Sequence, residues 1–101
     1  MSYQECIGSG EKTASAVAYN GQCWIAALEV ITDGTNDATV ILYDSCEGEN
    51  GDKIWEVVVS GVDHYGGRSW AMPRRCKNGI YAAVSGTGAS FILEYFTEPT
   101  R

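Results

Sequence analysis

The sequence predicts an all-β fold: an antiparallel β-sandwich or barrel of about seven or eight short strands in a jelly-roll-like layout. Three observations predict it. β-branched and aromatic runs recur along the chain, Gly, Asn and Asp punctuate them, and the one stretch with helical composition, residues 26–31, is too short to stand alone.

The elements follow in order. Residues 13–19 form the first expected strand, and Asn20-Gly21 after it is a tight-turn dipeptide because both residues tolerate positive φ. A long strand is expected at 23–32. The cluster Asp33-Gly34-Thr35-Asn36-Asp37 then turns the chain into the β-branched run 38–43. A polar loop over 44–52 precedes a strand at 53–60, whose Ile-Trp-Glu-Val-Val-Val core suits a pleated surface better than a helix. Residues 61–78 are less regular; 68–72 reads as a short strand ended by Pro73, which cannot donate to a ladder. Asn78-Gly79 turns into a strand at 80–85, Gly86-Thr87-Gly88 into a last strand at 89–96, and residues 97–101 are an exposed tail.

At 101 residues the chain has room for one domain and one core. Seven Lys and Arg against thirteen Asp and Glu leave a net charge of −6, which repels phosphate backbones and anionic lipid heads, so no nucleic acid and no membrane partner is expected. No apolar run approaches the roughly 20 residues needed to cross a bilayer as a helix. The start, Met-Ser-Tyr-Gln-Glu-Cys, lacks the basic and apolar regions of a signal peptide, so synthesis in the cytoplasm is expected.

Alternation along a strand sends neighbouring side chains to opposite faces. In 23–32 this sets Trp24, Ala26, Leu28 and Val30 against Ile25, Ala27, Glu29 and Ile31; in 53–60 it sets Trp55, Val57 and Val59 against Ile54, Glu56 and Val58; in the last strand it sets Phe91, Leu93 and Tyr95 against Ser90, Ile92, Glu94 and Phe96. The glutamates mark the outward side. That side also carries Ile25, Ile31, Ile54, Val58, Ile92 and Phe96, more apolar surface than the solvent face of a monomeric antiparallel sandwich should show. These six are the candidate contact residues for another subunit or a partner; single exposed apolar residues are the ordinary alternative.

Chemistry is sparse. Cys6, Cys23, Cys46 and Cys76 contain no Cys-x-x-Cys pair, so no structural metal is expected. Without a signal peptide, reduced buried thiols are favoured over two disulfides, and only Cys76, beside Arg74, Arg75 and Lys77, has the electropositive surround of a reactive thiol. His64 is the single histidine, with no nucleophile-presenting turn nearby in sequence. Asp44, Glu47, Glu49 and Asp52 offer oxygen ligands but not the spacing of a calcium loop. No catalytic residues, metal or cofactor are therefore assigned. Trp24 and Trp55 fall on the inferred core faces, which leaves Trp70, with Tyr65 and Arg68, as the candidate ligand platform.

Two stretches carry a resemblance. Thr-Asp-Gly-Thr-Asn-Asp-Ala-Thr-Val-Ile-Leu-Tyr-Asp-Ser at 32–45 and Asn-Gly-Ile-Tyr-Ala-Ala-Val-Ser-Gly-Thr-Gly-Ala at 78–89, followed by a hydrophobic strand to Tyr95, resemble small all-β structural proteins of tailed bacteriophages, of the capsid decoration or head-associated type. The resemblance spans roughly residues 27–95 and includes no catalytic motif. It implies a non-enzymatic virion component: a homo-oligomer, with a trimer favoured by analogy, attached to a virion shell protein. The four cysteines and the segment 63–77 depart from that pattern. A small carbohydrate-binding module using Trp70 and Tyr65 is the alternative, and a hydrolase built on His64 and loop carboxylates is a distant third.

Overall fold

The turn-punctuated strand runs fold as strands within a few residues of their expected bounds. The computed structural model describes residues 6–97, so residues 98–101 of the expected tail lie outside the described residues. The strands are β1 (Ile7–Gly8), β2 (Ala16–Asn20), β3 (Cys23–Ile31), β4 (Ala38–Asp44), β5 (Asp52–Val59), β6 (Tyr65–Cys76), β7 (Gly79–Ser85) and β8 (Ser90–Phe96), with a 3-10 turn at Gly61–Asp63. Two are departures. The two-residue β1 was not foreseen, and β6 is far longer than the expected strand at 68–72, which lies inside it.

All pairing is antiparallel and nested: β1 pairs with β8, β2 with β7, β3 with β6, and β4 with β5. Further pairing of β3 with β8 and β4 with β7 assembles two sheets, β1-β8-β3-β6 and β2-β7-β4-β5. A chain folded back on itself at the β4–β5 hairpin and then rolled up gives this order, which is that of a jelly roll. Every connection except the β4–β5 hairpin therefore carries the chain between sheets, and Asn20-Gly21 (β2–β3), Asn78-Gly79 (β6–β7) and Gly86-Thr87-Gly88 (β7–β8) are inter-sheet corners. Gly79 shows why its corner needs glycine: φ is +144°, and a Cβ there would overlap the Tyr19 carbonyl oxygen. The Asp44 carboxylate braces the same end by accepting the backbone N–H of Lys77 at 3.1 Å and of Asn78 at 2.8 Å.

The core lies between the sheets, with Leu28, Val30, Phe91 and Leu93 from one and Val40, Leu42, Ile80 and Ala82 from the other. Two expected outward residues belong to it. Ile25 is fully buried, because the β3 register slips between Ile25 and Ala27; Cys23 and Ile25 face the core before the slip, and Leu28 and Val30 after it. Trp24 is thereby displaced from the expected core face to the outer one, where it pairs with Phe96. In β5 a slip between Leu42–Trp55 and Tyr43–Lys53 leaves Ile54 as the extra residue, and it is buried while Trp55 is 37% exposed. A β-bulge inverts the face of every residue beyond it, so uninterrupted alternation misassigns one side of each slip.

Candidate functional site

The outer face of β2-β7-β4-β5 can be built from the register. One row across it is Val17, Tyr81, Tyr43 and Lys53; the next is Ala83, Ile41 and Glu56; the third is Ser85, Thr39 and Val58. Val58 is 64% exposed, and the Tyr43 and Tyr81 ring centroids lie 6.4 Å apart. The charged groups in these rows, Lys53 and Glu56, are paired to each other at the edge strand, and this contact raises the Lys53 pKa. On a chain of net charge −6 this face is close to neutral.

The outer face of β1-β8-β3-β6 is different. Trp24 sits between Phe96 and Arg75 at one end, and Ile31 between Ser90 and Tyr65 at the other. Glu29 and Glu94 lie between these ends, diagonal to each other across β3 and β8. Small residues at Ala27, Gly67 and Ser69 leave a shallow concavity of about 500 Å³, walled by Glu29, Glu94, Ile92 and Tyr65.

The third feature closes the open edge between β5 and β6. The Arg68 guanidinium carbon stands 4.0 Å from the Trp55 ring centroid and 4.9 Å from that of Trp70, and the two indoles meet edge to face at 6.3 Å. Arg68 pairs with core-facing Leu28, so its side chain lies on the inner side of β6 and spans from one sheet to the other. Tyr65, 66% exposed, pairs with Ile31 on the outer side. The expected platform of Tyr65, Arg68 and Trp70 is thus divided: Arg68 and Trp70 are together, and Tyr65 faces the other way. The reason is parity, since Tyr65 is an odd number of residues from both.

The six expected contact residues also separate. Ile25 and Ile54 are core residues, Ile31, Ile92 and Phe96 are half-buried on the outer face of β1-β8-β3-β6, and Val58 stands on the opposite outer face. Val17, Ile41, Tyr43, Tyr81 and Ala83 were missed. For Ile41, Tyr43, Tyr81 and Ala83 the signal is in the sequence, because the same alternation applied to β4 and β7 separates them from Val40, Leu42, Ile80 and Ala82; Val17 joins them through its pairing with Tyr81.

His64, Asp33 and the polar residues of 44–52 hold corners. His64 has φ +68° at the end of the 3-10 turn, where its N–H donates to the Gly61 carbonyl at 3.3 Å and its carbonyl accepts the Thr32 N–H at 2.6 Å. Asp33 accepts the N–H groups of Thr35 and Asn36 and the Asn36 side-chain amide, at 2.8–2.9 Å, and these donors lower its pKa. In the loop at 44–52, Ser45 Oγ accepts the N–H groups of Glu47 and Gly48 and donates to Asn50, while Glu47 accepts from the Asn50 amide. No protein-family model, no curated protein and no solved structure matches the chain.

Proposed function

We propose that the chain is a non-enzymatic structural protein of a tailed-bacteriophage virion, of the capsid decoration or head-associated type, acting by self-association and by docking on a protein shell. The observation that carries this reading is the near-neutral outer face of β2-β7-β4-β5. Like-charge repulsion between two acidic copies is least where Val17, Ile41, Tyr43, Val58, Tyr81 and Ala83 would meet their counterparts.

The size of the face sets the strength of the contact. Four strands about 4.8 Å apart and roughly 20 Å long present about 400 Å² per copy, below the roughly 800 Å² per partner of a stable standard interface. Self-association through this face alone is therefore weak, and a shell that holds several copies side by side strengthens it by raising their local concentration. The virion assignment is tested by mass spectrometry of density-banded phage particles from a lysate that contains the chain. Its peptides are expected in the band in a fixed ratio to the shell protein, and their confinement to the soluble fraction would overturn the assignment.

A second reading, a small carbohydrate-binding module, is favoured by the concavity beside Tyr65, where an aromatic face and two carboxylates border one groove. It predicts a monomer whose binding to a glycan array is lost in Tyr65→Ala.

A further inference from the structure

The nested topology brings together two cysteines that are far apart in the chain. Cys23 is the first residue of β3 and Cys76 the last of β6, and the two are direct antiparallel partners. Both are fully buried, and the Cys76 thiol donates to the Arg74 carbonyl at 4.0 Å. Opposed residues of an antiparallel pair have Cα atoms about 4.5 or 5.5 Å apart, within the roughly 4.4–6.8 Å that a disulfide spans. Partners in register project to the same side of the sheet, so a bond requires side-chain rotation and little backbone movement.

We propose that Cys23 and Cys76 are a latent cross-strand staple, reduced where the chain is made and oxidised to a disulfide when the protein meets a small-molecule disulfide such as oxidised glutathione. The Cys23 thiolate attacks one glutathione sulfur and displaces a glutathione thiolate, giving a mixed disulfide. The Cys76 thiolate then attacks the Cys23 sulfur and displaces the second glutathione. Two protein thiols lose two electrons, one glutathione disulfide gains them, and the two thiol protons pass to the departing glutathiones. The neighbouring Cys76 thiol lowers the pKa of Cys23 and so favours Cys23 as first attacker, while the Cys23 neighbour and burial raise the pKa of Cys76. Access comes at the strand ends, since both residues adjoin the corners at Asn20-Gly21 and Asn78-Gly79 and need only end fraying, not global unfolding. The staple encloses about 50 residues of chain, including the β4–β5 hairpin, and removes their loop-closure freedom from the unfolded state.

The test uses a Cys6→Ser, Cys46→Ser variant, which retains only the buried pair. Its two forms are the native protein incubated with oxidised glutathione and the protein refolded from urea in the same buffer. Each is digested with trypsin without reduction. A peptide containing Cys23 joined to one containing Cys76 is expected, with the intact mass lower by two hydrogen atoms and a midpoint of thermal unfolding higher by at least about 10 °C, reversed by reductant. Adding Cys76→Ala should leave Cys23 free or capped by glutathione. Two free thiols after refolding in the oxidant, or stable capping of both cysteines without a linked peptide, would overturn the proposal. A linked form that unfolds at the same temperature as the reduced form, or lower, would overturn its role as a staple.

Discussion

Replacing Ile25 with alanine is expected to lower the free energy of unfolding by about 3–4 kcal/mol. The side chain is fully buried between the sheets. Losing three carbons forfeits about 2.4 kcal/mol of transfer free energy at roughly 0.8 kcal/mol each. A residual cavity of about 50 Å³ at roughly 24 cal/mol per Å³ adds about 1.2 kcal/mol. For a domain of this size the midpoint of thermal unfolding should fall by roughly 15–25 °C. The assay is equilibrium urea unfolding followed by tryptophan emission and far-UV circular dichroism, with an unchanged m-value showing that the folded state remains compact. Ile31→Ala is the comparator, half-buried on an outer face and expected to cost about 1 kcal/mol or less. If Ile25→Ala costs less than Ile31→Ala and instead weakens self-association, the bulge has been misplaced and uninterrupted alternation describes β3.

Other perturbations address the corners and the open edge. Arg68→Ala should cost about 1 kcal/mol and shift tryptophan emission to the red as Trp55 and Trp70 gain water, while Arg68→Lys should recover only part because an ammonium cannot stack flat between two indoles; unchanged emission in both would contradict the stacking. Gly79→Ala should destabilise by more than about 2 kcal/mol in chemical denaturation, since it combines positive φ with overlap at the Tyr19 carbonyl; near-neutrality would refute the corner geometry. Asp33 has a folded pKa below its unfolded value of about 3.9, so its contribution is complete above that value and is lost as pH falls through the lower folded pKa. The stability gap between wild type and Asp33→Asn should therefore narrow as thermal unfolding is measured from pH 7 down to pH 2; a gap independent of pH would contradict this.

Much of the fold is legible in the sequence because its strands are local in origin. The runs at Ala38–Asp44 and Gly79–Ser85 combine β-branched and aromatic residues with turn residues at both ends, signals that do not depend on distant partners. β6 is the opposite case. Gly66, Gly67, Ser69 and Pro73 do not favour a strand, and the segment is extended because it pairs with β3. The core positions of Ile25 and Ile54 likewise arise from slips defined between two strands, so neither strand alone reveals them. Apolar composition makes Val58 a candidate contact residue without indicating its face, and the apposition of Cys23 and Cys76 needs the register of strands at opposite ends of a long loop. The Arg68 cluster was half visible: Arg68 and Trp70 are close in sequence, but Trp55 arrives from the other sheet.

The most direct test is sedimentation equilibrium of the purified chain from roughly 5 μM to 1 mM, beside a Val58→Asp variant that puts a carboxylate on the near-neutral face. A weak contact of this size should give an average mass that rises above the 10.9 kDa of one chain within that range, and an acidic substituent should push the rise to higher concentration while leaving the unfolding midpoint nearly unchanged. A mass that stays at one chain throughout, or association indifferent to Val58→Asp, would contradict self-association through this face.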